Sequence, residues 1–270
     1  MHSDKTWEVV TITDRSTFDV NRVVRMLADG DIAAVRIPGV YASEEIDVVV
    51  ANIQKQGVHW YPNFEFKQGR IGICATEYTS KINGKEAYFI LEPESSRIRD
   101  AMFPGDLSPV KRMVDVLSQN MEVGLATEPS MNGAQYFTGL VRAMLYKSTT
   151  HFDYAPKQLP GWWVAGAEAQ FAVVTYLQLP GAGGELTVYN RQWQEEDESY
   201  NHDVKEKGPR GFDGDFLNGI ESVTIAPNPG EMIIFNSRNF HEVAGIESEK
   251  TRFSINSFMV LKDGGLHLWN

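Results

Sequence analysis

The apolar positions of the first 120 residues follow a helical period broken by short runs. Val20, Val23, Val24 and Leu27 fall at i, i+3, i+4 and i+7 with Gly30 beyond them, which predicts a helix stopped by glycine. Ile32 to Ile37 is a short apolar run closed by Pro38-Gly39, predicting a buried strand and a turn. Ile46, Val49, Val50 and Ile53 predict a second helix that opens at Ser43 and ends before Gly57. A third opens with Ser108 as cap and Pro109 in the first helical position, with Val110, Met113, Val114 and Leu117 on its face.

From about residue 140 the pattern changes. Runs rich in Val, Tyr, Phe and Thr are bounded by Gly, Pro and Asn: Leu140–Lys147, Gln170–Leu179, Glu185–Asn190, Ser222–Ile225, Glu231–Phe235 and Arg252–Leu261. This is strand chemistry, and many short strands after a mixed half point to an α+β chain with a β-sandwich or jelly roll buttressed by N-terminal helices. We expect one domain over 1–270, mixed and helical over 1–139, with the jelly-roll strands in 140–262. Arg191 to Gly219 is long, charged and aperiodic. A loop of that length is a lid if it lies over a site, or a solvated excursion.

Composition narrows the classes. At 270 residues and 42% hydrophobic, the chain can bury a full core. No apolar stretch approaches the roughly 18–20 residues of a bilayer span. Met1 to Lys5 is not followed by the apolar stretch of a signal peptide. The single cysteine, Cys74, excludes an internal disulfide and a cysteine-built metal site. A cytoplasmic protein is expected. The net charge of −11 and the lack of a Lys/Arg cluster argue against nucleic-acid partners. The acidic run Glu195 to Glu198 reads as a solvated face without a function. The partner expected is a small molecule, with no membrane and with a homodimer left open.

Candidate chemistry rests on a few residues. In His151-Phe152-Asp153 the first and third side chains share one side of an extended strand end. His241 lies ninety positions further on, after the apolar run Glu231–Phe235 and a turn at Asn236–Asn239. Two imidazoles and a carboxylate are the facial set that holds non-haem Fe(II) with open positions. An isolated His-X-Asp is common, so the context carries the reading. Pro229-Gly230 precedes the strand that leads to His241, and Arg252 and Ser254 share a strand face downstream. A buried arginine there suits a carboxylate, such as the distal one of 2-oxoglutarate.

The composite resembles the Fe(II)/2-oxoglutarate-dependent oxygenases. Leu179-Pro180-Gly181-Ala182-Gly183-Gly184-Glu185 and Pro227-Asn228-Pro229-Gly230-Glu231-Met232-Ile233-Ile234-Phe235 are similar to the small bacterial branch of aliphatic halogenases. That branch includes the indole-alkaloid and free amino-acid halogenases and their hydroxylating relatives. The resemblance runs from about residue 20 to the C-terminus. It implies a double-stranded β-helix with Fe(II) at one end, held by His151, Asp153 and His241, with 2-oxoglutarate and O₂ as co-substrates and Arg252 and Ser254 as the 2-oxoglutarate anchor. In the halogenases Gly or Ala replaces the carboxylate ligand and leaves room for chloride. Asp153 fills that position here, which implies a hydroxylase.

For substrate contacts, the resemblance marks Arg70, within Gly69-Arg70-Ile71-Gly72, as an anchor for a substrate carboxylate. Tyr154 follows the triad aspartate, Asn256 lies on the Arg252/Ser254 face, and Trp269 would close the site or pack. Phe152, Trp162 and Trp163 would wall an apolar pocket or belong to the core. No acidic group suited to a lysine side chain is evident, so a basic amino acid is disfavoured and an apolar or N-modified amino acid, or another small acid, is the expected substrate. The alternatives are a halogenase or desaturase of the same family, or a metal-binding cupin-like protein without oxygenase chemistry.

Overall fold

Strand β10 (Ala169–Gln178) is buried along almost its whole length, and burial on both faces sets the architecture. Phe171 and Val173 meet helices on one side, while Ala172, Val174 and Tyr176 meet a second sheet on the other. This is the two-residue alternation of a strand applied to two cores. The computed structural model describes residues 7–62, 67–202, 211–212 and 214–270.

The larger sheet has the order β1 (Val9–Thr11), β2 (Ala34–Ile37), β15 (Met232–Asn236), β10, β17 (Arg252–Lys262), β8 (Leu140–Met144), β4 (Gln68–Ile71) and β3 (His59–Trp60). The eleven-residue β17 divides its far edge: Arg252–Asn256 pair with β8, and Phe258–Lys262 pair with β18 (Gly265–Trp269), which in turn pairs with β5 (Val123–Leu125). The smaller sheet is β14 (Ser222–Ile225), β11 (Leu186–Gln192), β16 (Asn239–Val243) and β9 (Ser148–His151). Two ribbons stand apart, β6 (Thr127–Glu128) with β7 (Ala134–Gln135), and β12 (Asn201–His202) with β13 (Gly211–Phe212). The chain crosses between the sheets at each step from β8 to β11 and again from β14 to β17. That winding is a double-stranded β-helix, so the expected α+β jelly roll is the fold.

Helices α1 (Val20–Asp29), α2 (Ser43–Gln56) and α4 (Pro109–Leu117) cover the outer face of the larger sheet. Their ends follow from local chemistry. Asp19 accepts from Arg22 N at the start of α1, and Gly30 ends it at φ 77°. Glu45 reaches back to the Ala42 amide before α2, and Ser108 accepts from Lys111 N at α4. Gly230, at φ 81°, lies so close to Tyr41 O that a Cβ would meet it at 2.2 Å. The Pro229-Gly230 turn can therefore dock on the loop before α2, which fixes where β15 begins.

The longest helix, α3 (Gly84–Met102), has no counterpart among the predicted elements. It contains Pro93, and it exposes Ile90 and Leu91 while burying Tyr88 and Phe89, so its apolar stripe is blurred. Its buried side joins Tyr136, Phe137, Trp162 and Trp269 in a second, aromatic core. Among the described residues, no helix is long and apolar enough to cross a membrane.

Glu128 ties that core together. Its carboxylate, 3% exposed, accepts from Ser130 Oγ (2.6 Å), Tyr136 Oη (2.7 Å) and Trp163 N (2.8 Å), with Lys85 Nζ at 3.4 Å. Burial by itself raises its pKa, but the three donors and the lysine outweigh it and hold the group at about 2, down from 4.5. A carboxyl lowered on folding stabilises the native state above its unfolded pKa and loses that contribution as the pH falls toward the folded value. The full contribution is on the order of 3 kcal/mol. Between pH 6 and pH 3, urea unfolding of the wild type should therefore lose about 2 kcal/mol that Glu128→Gln does not lose. Parallel pH profiles for the two proteins would contradict this role.

Candidate active site

His151 ends β9 and His241 lies within β16, and the two stand directly opposite each other in the strand register. Their rings are 4.2 Å apart between centroids. His241 is therefore a strand residue that follows the turn, which is confined to Ser237 and Arg238. His151 Nδ1 is 2.7 Å from Thr149 O, and His241 Nδ1 is 2.9 Å from Asn239 O. With Nδ1–H donating to these carbonyls, each Nε2 keeps its lone pair for a ligand. Asp153 Oδ2 lies 3.9 Å from His151 Nε2 and 3.6 Å from His241 Nε2, and the three donor atoms all fall within 4.8 Å of one another. This donor set fits a divalent iron with open positions toward the cavity.

The backbone of Asp153 is held from two sides. Its N–H donates to Ser237 O (2.8 Å), and its carbonyl accepts from Ser237 Oγ (2.9 Å) and Gln170 Nε2 (3.2 Å). Gln170 also accepts from Ala155 N at 2.8 Å, so one buried amide fixes both ends of the turn after β9. Burial, reinforced by His241, pushes His151 down to about 4, so its imidazole is neutral at pH 7. Burial acts to raise Asp153, but the two imidazoles beside it, His241 foremost, and Arg142 outweigh it and leave the carboxyl below its usual range.

The triad opens into a cavity of about 800 Å³ between the sheets. Arg252, Ser254 and Asn256 face it from β17, while the alternate residues Phe253 and Ile255 face the helices. Arg252 is 3% exposed and has no carboxylate within ion-pair distance among the described residues. It touches the Tyr176 ring (4.9 Å) and Met144 Sδ (3.6 Å), and its buried Nε has no partner. A buried cation without an anion is a costly arrangement unless a ligand supplies one. The orphaned donor suits the far carboxylate of 2-oxoglutarate. Ser254 Oγ donates to Asn256 Oδ1 (2.7 Å) beside it.

The other expected substrate contacts divide. Asn256 and Phe152 line the cavity; Arg70, Tyr154 and Trp269 do not. Arg70 is held by both carboxylate oxygens of Glu77, by Tyr61 Oη (3.1 Å) and by Gly72 O. Tyr154 packs on Trp193 and under the Arg238 guanidinium (4.7 Å). Trp269 is fully buried against Phe258 and Tyr136, and Trp162 sits in the same aromatic core. In the place expected for Arg70 the cavity has Arg142, on the neighbouring strand β8. Sequence reasoning passed over Arg142, Gln170 and Ser237. An arginine alternating with Val141 and Ala143 was the available signal for the first.

The described part of Arg191–Gly219 lies over the site: Glu198, Asn201 and Phe212 line the cavity. Residues 203–210 and 213 of that expected lid lie outside the described residues. The acidic run is not merely a solvated face. Asp197 is fully buried, pairs with Arg191 and accepts from Gln194 N (2.9 Å), because it caps a short 3₁₀ turn over the core. Lys157 bridges Glu195 (3.2 Å) and Glu198 (3.5 Å).

The chain is 36% identical over 148 residues to a leucinostatins biosynthesis cluster protein S of Purpureocillium lilacinum, a match covering 53% of this chain and 58% of that protein. The chain thus spans less than two thirds of that relative. It is 23% identical over 249 residues to an L-gamma-glutamyl-L-propargylglycine hydroxylase of Streptantibioticus cattleyicolor, covering 90% of each chain. Among solved structures, an N-substituted L-amino acid dioxygenase from Burkholderia ambifaria AMMD superposes with a TM-score of 0.63 at 12% identity, over 93% of this chain and 91% of the other. A second structure of that dioxygenase, in complex with α-ketoglutarate, gives 0.62. The model of one family, described as carrier-protein-independent halogenase WelO5, matches residues 6–269. With nearly the whole chain inside that match, and the winding of the sheets in agreement with it, this protein belongs to the WelO5 family of Fe(II)- and 2-oxoglutarate-dependent oxygenases.

Proposed function

We propose that this enzyme hydroxylates an aliphatic C–H bond of a free or N-modified amino acid, with His151, Asp153 and His241 as the iron ligands. The observation that carries the choice of hydroxylation is Asp153, whose carboxylate stands beside both Nε2 atoms. A halogenase needs that coordination position for chloride, and a fixed aspartate occupies it. The family's description favours a halogenase as the second reading. The S. cattleyicolor relative, named as a hydroxylase of a γ-glutamyl amino acid, supports the first, and so does the N-substituted amino-acid dioxygenase that shares the fold.

The residues divide the work. His151, Asp153 and His241 would hold the ion at the wall of the cavity. Arg252 and Ser254 would bind the far carboxylate of 2-oxoglutarate in the cavity they share with the triad. When bound, iron with 2-oxoglutarate and O₂ supplies oxidative decarboxylation to succinate and CO₂, and delivers one oxygen atom to the substrate. Val174, Leu186 and Phe235 give the cavity an apolar wall that limits water near the reacting carbon. Ser237 and Gln170 keep the Asp153 backbone in place, so ligand geometry does not depend on the loop alone.

Two measurements test this reading. Mass spectrometry of products formed with chloride present should show addition of one oxygen, and Asp153→Ala should lose most of that activity. A chlorinated main product, or full activity in the variant, would overturn it. Arg252→Ala should raise the 2-oxoglutarate requirement by about 2–5 kcal/mol, at least about thirtyfold in concentration. An unchanged requirement would move the co-substrate anchor elsewhere.

A further inference from the structure

Five charged side chains besides Asp153 line the cavity: Glu77, Arg142, Lys157, Glu198 and Arg252. Glu77 is paired with Arg70, and Lys157 with Glu198. Bound iron, Asp153, Arg252 and doubly charged 2-oxoglutarate together come to zero. Arg142 is the charge left over. Among the described residues it has no carboxylate within ion-pair distance, and its one hydrogen bond is from Nη1 to Tyr61 Oη at 3.2 Å. Tyr61 Oη donates in turn to Glu77, which also receives Arg70. Arg142 is thus held through Tyr61 and uses one of a guanidinium's five donors.

Its position separates it from the co-substrate anchor. Arg142 on β8 stands opposite Ser254 on β17, one strand over and two residues along from Arg252. On its other flank it stands opposite Arg70 on β4. The cavity lining also includes Thr76, Thr79 and Ser80, hydroxyls rather than a further cation. A planar cation held by one hydrogen bond in a cavity that also carries hydroxyls matches a single carboxylate on a ligand with other hydrogen-bonding groups.

We infer that Arg142 anchors a carboxylate of the substrate, with Tyr61 as its positioning residue, and that Arg70 serves to hold Glu77 and Tyr61. This rests on the hydroxylase reading above for what else occupies the cavity. The chemistry also fits a second contact to 2-oxoglutarate, and the test separates the two.

The probes are free and N-acetylated L-amino acids with apolar side chains, each as the acid and as the primary carboxamide. Binding is measured by calorimetry to anaerobic wild-type protein loaded with Fe(II) and 2-oxoglutarate, and succinate release is followed in air. The expected result is that at least one acid binds and triggers succinate, and that its carboxamide is weaker by about thirtyfold or more. In Arg142→Gln that preference should fall to within threefold while 2-oxoglutarate affinity changes less than threefold. Arg142→Lys, which keeps the charge without the planar fork, should retain the preference at lower affinity. Carboxamides equal to acids, or no acid bound by the wild type, would overturn the inference without any variant. Loss of 2-oxoglutarate affinity in Arg142→Gln would overturn it in favour of a co-substrate contact. A wild type that shows no 2-oxoglutarate-dependent charge-transfer band on Fe(II) addition would instead sink the oxygenase reading itself.

Discussion

The pairing of β9 with β16 is the constraint on which the site depends. It sets His151 opposite His241 across ninety residues of sequence, and a slip of one residue in either strand would turn an imidazole away from the cavity. Both strands lie in the smaller sheet, which packs through Leu186, Val188 and Ile225 on the inner face of β10 and β15. The helices over the outer face of those strands are therefore part of the support, since β10 holds its register only while both faces are covered. Asp153 comes from the turn after β9, and Ser237 and Gln170 fasten it to the end of β15 and the start of β10. The three proposed ligands, two on the smaller sheet and one in the turn after it, are thus fixed by the larger sheet.

Electrostatics gives the cavity its direction. At the metal end sit two imidazoles and a carboxylate; along β17 and β8 sit two guanidiniums that no described carboxylate neutralises. Interiors seldom leave a cation in this state, because its hydration is lost without a partner. Two such groups on adjacent strands, facing one space, are the physical basis of the carboxylate-binding roles proposed for them. The acidic groups of the cavity do not serve, because Glu77 and Glu198 already hold Arg70 and Lys157. The protein carries a net charge of −11, yet two guanidiniums face its cavity with no described carboxylate within ion-pair distance.

Much of this was legible in the chain, for local reasons. A strand repeats every two residues, so His151 with Asp153, and Arg252 with Ser254 and Asn256, declare a common face without knowledge of the fold. The caps at Asp19 and Ser108 and the stops at Gly30 and Gly57 likewise act within a turn of the helices they end. What was not legible depends on partners far away. Arg70 and Arg142 are equally suggestive in sequence, and only their strand neighbours give Glu77 to the first and the cavity to the second. Tyr154 follows Asp153 in sequence, but its ring packs on Trp193, and Trp269 is buried in the aromatic core. Helix α3 hid behind Pro93 and two exposed aliphatics, and the Glu195–Glu198 run concealed a buried Asp197 because charge runs are usually solvated.

An anaerobic crystal structure with Fe(II) and 2-oxoglutarate bound tests the central claim most directly. An anomalous iron peak bonded to His151 Nε2, His241 Nε2 and an Asp153 oxygen, with the far carboxylate of 2-oxoglutarate on Arg252, is the predicted result. Iron bound elsewhere, Asp153 swung away from the ion, or that carboxylate seated on Arg142 instead would contradict it.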